Sequence, residues 1–260
     1  CVNTKTVSVT VNPLPTLTIS PASATLCTGS STVLTASGAS TYSWSPATGL
    51  SCSGCAGPTA NPTVTTIYTV TGTDVNGCVN TTTAGITINP LPTIIISPPS
   101  VTFCVGGSTV LTASGANSYV WSPSAGLSCT NCPGPTANPT VSTIYTITGT
   151  DVNGCVNTKT IQVTVNPLPD AATAILGNTT VCAGSSNESY FVSAINNATD
   201  YAWILPAGFS INSGSNTNSI LVSVAPTASS GTITVYGINP CGNGISSSLA
   251  ITVSPLPDSA

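Results

Sequence analysis

The sequence predicts an all-β protein, a tandem array of small sandwiches built from short strands. Three observations carry this. TIYTVTGTDVNGCVNT at Thr66–Thr81 returns as TIYTITGTDVNGCVNT at Thr143–Thr158, and its tail, CVNT, also opens the chain. Cys1, Cys78 and Cys155 are one position met three times, since 78 − 1 and 155 − 78 both give 77; a fixed period of this kind marks one folding unit per repeat. Thr, Ser, Val and Ile dominate, residues that suit a pleated, half-buried surface, and no segment carries helical periodicity.

Composition narrows the function classes. Only 3% of the 260 residues are charged and the formal net charge is −4, against roughly 25% charged in an ordinary soluble domain. Two lysines and no histidine cannot neutralise a phosphate backbone, so nucleic acid is excluded as a partner. Electrostatic attachment to anionic lipid is excluded on the same ground. Disorder needs low hydrophobicity with high charge, whereas this chain is 40% hydrophobic. No apolar run reaches the ~18 residues of a membrane helix, so membrane insertion is not expected. Eleven cysteines without histidine point to disulfides and an oxidising compartment.

In chain order, residues 1–12 (CVNTKTVSVTVN) alternate Val7, Val9 and Val11 with polar residues, the pattern of a strand with one buried face. They are expected to be the last strand of a preceding, truncated repeat. Pro13-Leu14-Pro15 follows and recurs at Pro90-Leu91-Pro92, Pro167-Leu168-Pro169 and Pro255-Leu256-Pro257. Proline fixes φ and extends its predecessor, so each triplet is a short stiff linker, with the Leu expected to pack between neighbouring domains. The first full repeat, 13–89, offers strands at Thr16–Ser20, Ser31–Ser37 and Tyr42–Ser45, then a Gly/Pro/Cys-rich loop at 46–62. Ile67–Thr73 and the strand after Cys78 flank Asn76-Gly77, a strong hairpin signal. The repeat at 90–166 keeps Trp121, Tyr145 and Asn153-Gly154 in phase. The third, 167–254, is longer between triplets (255 − 167 = 88), keeps Cys182, a Tyr201-Ala202-Trp203 strand and Cys241, and loses the Cys-x-x-Cys loop. It is read as having Gly231 in place of Tyr68 and Tyr145, and Gly237 in place of Asp74 and Asp151. Residues 255–260 are read as a linker to a following domain.

Seven or so short strands, a Trp on the third and a Tyr opening the penultimate one describe an immunoglobulin-like sandwich. The expected architecture is a rod-like row of immunoglobulin-like and PKD-like sandwiches joined by Pro-Leu-Pro. At about 75 residues, burial alone leaves each one marginal.

These motifs resemble the tandem Ig-like and PKD-like domains of giant Bacteroidota surface proteins. The resemblance rests on Cys27-Thr28-Gly29, Leu34-Thr35-Ala36, Tyr42-Ser43-Trp44-Ser45-Pro46, Gly49-Leu50-Ser51 and Tyr68 to Cys78, with their counterparts from Cys104 to Cys155. Val181-Cys182-Ala183-Gly184-Ser185 and Leu205-Pro206-Ala207-Gly208 resemble the PKD-like subtype. The resemblance implies export by the type IX secretion system and display at the outer membrane as long adhesins, including gliding adhesins. It carries no catalytic residues.

The cysteines hold the only covalent chemistry. Cys52/Cys55 and Cys129/Cys132 have the spacing of a redox or half-zinc motif, but zinc needs further ligands and a reactive thiol needs a helix N-terminus or cation. Local structural disulfides are the expectation. For the rest, two connectivities respect the repeat. Pairing within a unit gives Cys27–Cys78, Cys104–Cys155 and Cys182–Cys241, leaving Cys1 with a partner outside the sequence. A ladder between units gives Cys27–Cys155 and Cys104–Cys241, leaving Cys1, Cys78 and Cys182. Pairing within the unit is favoured, although sandwich topology puts Cys27 and Cys78 at opposite ends.

The remaining candidates are read as structural. Asp74 and Asp151 precede Asn-Gly and are turn residues rather than calcium ligands, which come in sets of six to eight oxygens. Trp44 and Trp121 are core, with Tyr42 and Tyr119 the more exposed members of any sugar platform. No His-dependent triad is possible, and the acids of the third repeat, Asp170, Glu188 and Asp200, are scattered; no enzyme and no cofactor are expected. Sequons begin at Asn80, Asn178, Asn187 and Asn197, and Asp258-Ser259-Ala260 resembles a Bacteroidota O-glycosylation triplet. The function expected is a stalk or filament segment of an extracellular adhesin whose partners are neighbouring domains of the same chain. The alternatives are a fibre protein that binds its own copies by strand addition, and a module for surface glycans.

Overall fold

The computed structural model describes residues 1 and 3–255. The linker and O-glycosylation readings from Leu256 onward lie outside the described residues. No helix occurs among the described residues. Contacts divide the chain into two compact units. One comprises Cys1–Ile95, Ser114–Val120 and Ile147–Lys159; the other comprises Ile96–Ala113, Trp121–Thr146 and Thr160 onward. The division falls inside the second repeat, not at the triplets.

The first repeat contains β1 (Thr18–Ser20), β2 (Ser23–Cys27), β3 (Thr32–Val33), β4 (Thr35–Ser37), β5 (Thr41–Ser45), β6 (Thr59–Ala60), β7 (Thr66–Thr73) and β8 (Val79–Asn89). One sheet runs β2-β8-β7-β5; β1-β4 and β3-β6 form the opposing pairs. Alternation along β7 sends Tyr68 and Val70 inward between exposed or half-buried neighbours. They meet Leu34, Ala36, Trp44, Ala60, Ala84 and Ile86 in a core closed to solvent. The pairing of β2 with β8 is parallel, with Cys27 opposite Asn89.

The second repeat repeats this order as β9 (Ile95–Ser97), β10 (Val101–Cys104), β11 (Thr109–Val110), β12 (Thr112–Ser114), β13 (Ser118–Ser122), β14 (Thr136–Ala137), β15 (Thr143–Thr150) and β16 (Val156–Asn166). Again β10 lies parallel to β16, with Cys104 opposite Asn166. The third contains β17 (Thr180–Cys182), β18 (Glu188–Phe191), β19 (Asp200–Ile204), β20 (Phe209–Ser213), β21 (Ser219–Val224), β22 (Gly231–Asn239), β23 (Gly242–Asn243) and β24 (Ser247–Ser254). Its sheets are β17-β24-β22-β19, with β23 on β22, and β18-β21-β20. They enclose a core that includes Tyr190, Ile220, Val222, Ile233, Val235 and Ile251.

Four sequence expectations are corrected. Residues 3–12 form no strand, and Val7, Val9 and Val11 are more than four-fifths exposed; a strand is held by a neighbour's ladder, and no described strand pairs with them. In the described triplets the leucines are not buried: Leu14 is 62%, Leu91 37% and Leu168 40% exposed. The second prolines, Pro15, Pro92 and Pro169, are buried instead. Their position is pinned through the backbone, because Asn80 Nδ2 donates to Pro15 O and Asn157 Nδ2 to Pro92 O, both at 2.9 Å. Finally, Gly237 faces Tyr201 as Gly72 faces Tyr42. By that register Ile233, not Gly231, replaces Tyr68, and Asn239, not Gly237, replaces Asp74.

Glycine at these strand positions is a packing requirement. A Cβ on Gly149 would lie 2.9 Å from both Ala116 Cβ and Ile94 Cδ1, closer than carbon atoms approach. Gly149→Val should therefore cost about 1–3 kcal/mol, read as a lower urea midpoint with unchanged slope.

Candidate functional site

Chemistry in this chain means cysteines, and the strands decide which of them can meet. Cys27 ends β2 in register with Asn89, the last residue of β8. Cys78 directly precedes that same strand, which is 11 residues long. At about 3.3 Å per residue the two ends of β8 are roughly 35 Å apart, whereas bonded cysteines bring their Cα atoms within about 7 Å. Pairing within the repeat is thereby ruled out, and the same holds for Cys104 and Cys155 at the two ends of β16.

The bonds instead run between repeats. Cys27 is joined to Cys155 with Cα atoms 5.5 Å apart, and Cys104 to Cys241 at 5.3 Å. Each lies within one compact unit, and they close 128- and 137-residue separations. The favoured expectation of Cys27–Cys78, Cys104–Cys155 and Cys182–Cys241 is corrected accordingly, and Cys1, Cys78 and Cys182 are free thiols. What sequence inspection lacked was the parallel pairing of β2 with β8, which joins strands far apart in the chain and leaves no local signature.

Each member of the ladder sits in one of two local frames. The strand-end frame belongs to Cys27, Cys104 and Cys182. In it the next residue's N–H bonds the carbonyl of the final strand's last residue: Thr28 to Asn89, Val105 to Asn166 and Ala183 to Ser254, each at 2.9 Å. A glycine two residues on takes positive φ: Gly29 at 86°, Gly106 at 86° and Gly184 at 80°. The hairpin frame belongs to Cys78 and Cys155. Asp74 Oδ1 accepts from Asn76 N and Cys78 N, and Asp151 Oδ1 from Asn153 N and Cys155 N, all at 2.8 Å. These carboxylates serve the turn. In the third repeat Asn239 Oδ1 takes over, accepting from Cys241 N at 2.8 Å. Among the described residues no cluster of three or more metal-ligating side chains occurs.

The loop cysteines pair locally, Cys52 with Cys55 and Cys129 with Cys132, and the loops they shape hold the tryptophans. Trp44 donates from its backbone to Ser53 O at 2.7 Å and from Nε1 to Cys55 O at 2.8 Å. Trp121 does the same to Thr130 and Cys132. Both rings are almost wholly buried and offer no stacking face. Tyr42 and Tyr119 are half-buried, their hydroxyls engaged with the backbone of Ala39 and Ala116. In the third repeat, without the loop pair, Trp203 Nε1 donates to Thr217 O. The acids of that repeat hold separate partners: Asp170 accepts from Asn196 and Glu188 from Asn178.

Comparison with known proteins agrees with the subtype of the third repeat. A family model described as a PKD-like domain matches residues 168–251. No curated protein matches the chain. Among solved structures it is similar to the I-band fragment I67–I69 from titin, at 15% identity over 94% of this chain and 100% of that one, TM-score 0.42. It is similar also to protocadherin gamma B7 domains 1–4, at 15% identity over 91% and 75%, TM-score 0.35. A third is the human desmocollin-1 ectodomain, at 10% identity over 95% and 60%, TM-score 0.33.

Two outcomes follow for stability. In the chain-entropy picture, breaking Cys27–Cys155 by Cys27→Ser with Cys155→Ser costs roughly 5 kcal/mol, and breaking Cys52–Cys55 roughly 2; denaturant titration should return that order. Burial pushes the hydroxyls of Tyr68, Tyr145 and Tyr190 above the ordinary Tyr value, with the Glu188 charge adding at Tyr190. The folded state keeps these hydroxyls neutral, as donors to Thr48 O, Ala125 O and Asn178 O. Their contribution is therefore full below about pH 10 and lost as pH rises from there. Tyr68→Phe with Tyr145→Phe should flatten the alkaline decline of the thermal midpoint.

Proposed function

We propose that this chain is a load-bearing stalk segment of an extracellular cell-surface protein. The observation that carries the proposal is the pair of disulfides joining successive repeats. A bond from Cys27 to Cys155 and another from Cys104 to Cys241 overlap in sequence, so a pull on the chain meets a covalent limit well short of full extension. Bonds of this kind persist in an oxidising compartment, which supports an extracellular location. The resemblance of the repeat motifs supports the finer form: an adhesin of Bacteroidota, exported by type IX secretion, displayed at the outer membrane and serving adhesion or gliding. Its partners are then the neighbouring domains of the same long chain. Assembly by strand addition is a second reading, favoured by the exposed, unpaired alternation of Val7, Val9 and Val11, since an extended segment can add to an open sheet edge.

A stalk of this design has a mechanical signature. Pulled between its ends in a single-molecule instrument, the oxidised chain should stop short, and after reduction its final length, at about 3.5 Å per residue, should more than double. Equal final lengths before and after reduction would overturn the proposal. With so few charges, the thermal midpoint should hardly move between low and high salt, because there is little for salt to screen.

A further inference from the structure

A cavity of about 200 Å³ opens where the second repeat ends against the third, wholly within one of the two compact units. Asn166 and Pro167 line it at the end of β16, Asn197 and Thr199 just ahead of β19. Asn239, Pro240 and Cys241 close it at the end of β22. Going beyond the stalk reading, we infer that this cavity binds one neutral sugar unit of a glycan.

The walls are fixed before any ligand arrives. Asn239 Nδ2 donates to Pro167 O and to Asn197 O, both at 2.9 Å, and its Oδ1 accepts from Cys241 N. Cys241 is bonded to Cys104, which stands opposite Asn166 in the parallel register. One amide and one disulfide thus hold the lining together, so little ordering is left for binding to impose. The amides of Asn166 and Asn197 are a different matter. Both residues engage the described residues through their backbone alone, and both are exposed.

Asn197 is the informative residue. Its φ is 61°, in the left-handed region, whereas glycine holds the corresponding turn position of the earlier repeats, Gly38 at 97° and Gly115 at 95°. The correspondence is set two residues on by matching backbone bonds: Ser40 N to Thr73 O, Asn117 N to Thr150 O and Thr199 N to Ile238 O. A left-handed backbone disfavours any side chain, so glycine is enough for the turn. The third repeat accepts the strain and gains an amide at the cavity.

The lining also selects the ligand class. Its described residues carry no charged side chain, so an ion would be desolvated without a counter-charge. An apolar ligand would leave the amides unpaired. Neighbouring ring hydroxyls suit them, because an amide both donates and accepts, and Pro167 and Pro240 supply apolar surface for the C–H face. The volume falls below the ~300 Å³ of a drug-sized pocket, which sets the scale at a single sugar unit. An extended peptide would need an open strand edge, and turns line this place. The same place is hollow one repeat earlier, where Gly115, Asn117, Asp151 and Val152 line a cavity of about 270 Å³. There Asp151 stands for Asn239, and a carboxylate accepts from hydroxyls as an amide oxygen does. Recurrence in successive repeats suits a polymeric ligand, whose weak contacts reinforce one another through effective concentration.

The test titrates the whole oxidised chain with the methyl glycosides of glucose, galactose, mannose and N-acetylglucosamine, read by backbone-amide NMR spectra, with glycerol as control. At least one glycoside should shift the amides of Asn197, Thr199 and Cys241 saturably, with a Kd on the order of millimolar for a ligand of so few atoms. Asn197→Gly keeps the turn in the form the earlier repeats use, and should weaken that Kd roughly tenfold while the rest of the spectrum is unchanged. No saturable shift with any glycoside, shifts that glycerol reproduces, binding confined to other residues, or an unaltered Kd in Asn197→Gly would each overturn the inference. Tetraglycine shifting these amides where no glycoside does would overturn it in favour of a peptide.

Discussion

The parallel pairing of a short strand with the last strand of its own sandwich is the constraint on which the rest depends. β2 on β8 and β10 on β16 place a cysteine opposite the residue just before Pro-Leu-Pro. Those cysteines are thereby at the exit of their repeats, a full strand length from the hairpin cysteine of the same repeat. Parallel neighbours need a long crossover, and here the crossover is nearly the whole sandwich. The ladder of disulfides is a consequence of that single pairing.

Sandwiches of this size bury little, and the chain spends almost no charge on stability. The compensation is local and repeated. A small disulfide shapes a loop whose carbonyls satisfy Trp44 and Trp121, and Tyr68 and Tyr145 place their hydroxyls on carbonyls twenty residues away. Burying those aromatic rings is favourable only because each polar tip has its partner. The third repeat reaches the same end differently: Trp203 uses Thr217, and Tyr190 on β18 supplies the buried hydroxyl while Ile233 fills the Tyr68 position.

The connectors follow the same economy. Pro-Leu-Pro reads as a stiff segment because proline limits φ, yet its docking is a matter of the second proline's burial and of one asparagine amide on its carbonyl. Asn80 and Asn157 belong to the CVNT tail, so the stretch that marks the period in the sequence also ties each repeat to its own connector.

Much was legible in the residues alone. The 77-residue period, the all-β class, the Asn-Gly hairpins, the buried Trp and the local Cys-x-x-Cys pairs follow from patterns within a few positions of one another. Asp74 could be recognised as a turn residue because its partners are its near neighbours. Tertiary structure decided what depends on strands distant in sequence. It set the long-range partners of Cys27 and Cys104, the alignment of Ile233 and Asn239 with Tyr68 and Asp74, and the burial of proline rather than leucine in the connector. Residues 3–12 make the same point from the other side. Their alternation is that of a strand, but a strand exists only where another supplies its ladder, and periodicity cannot say whether one does.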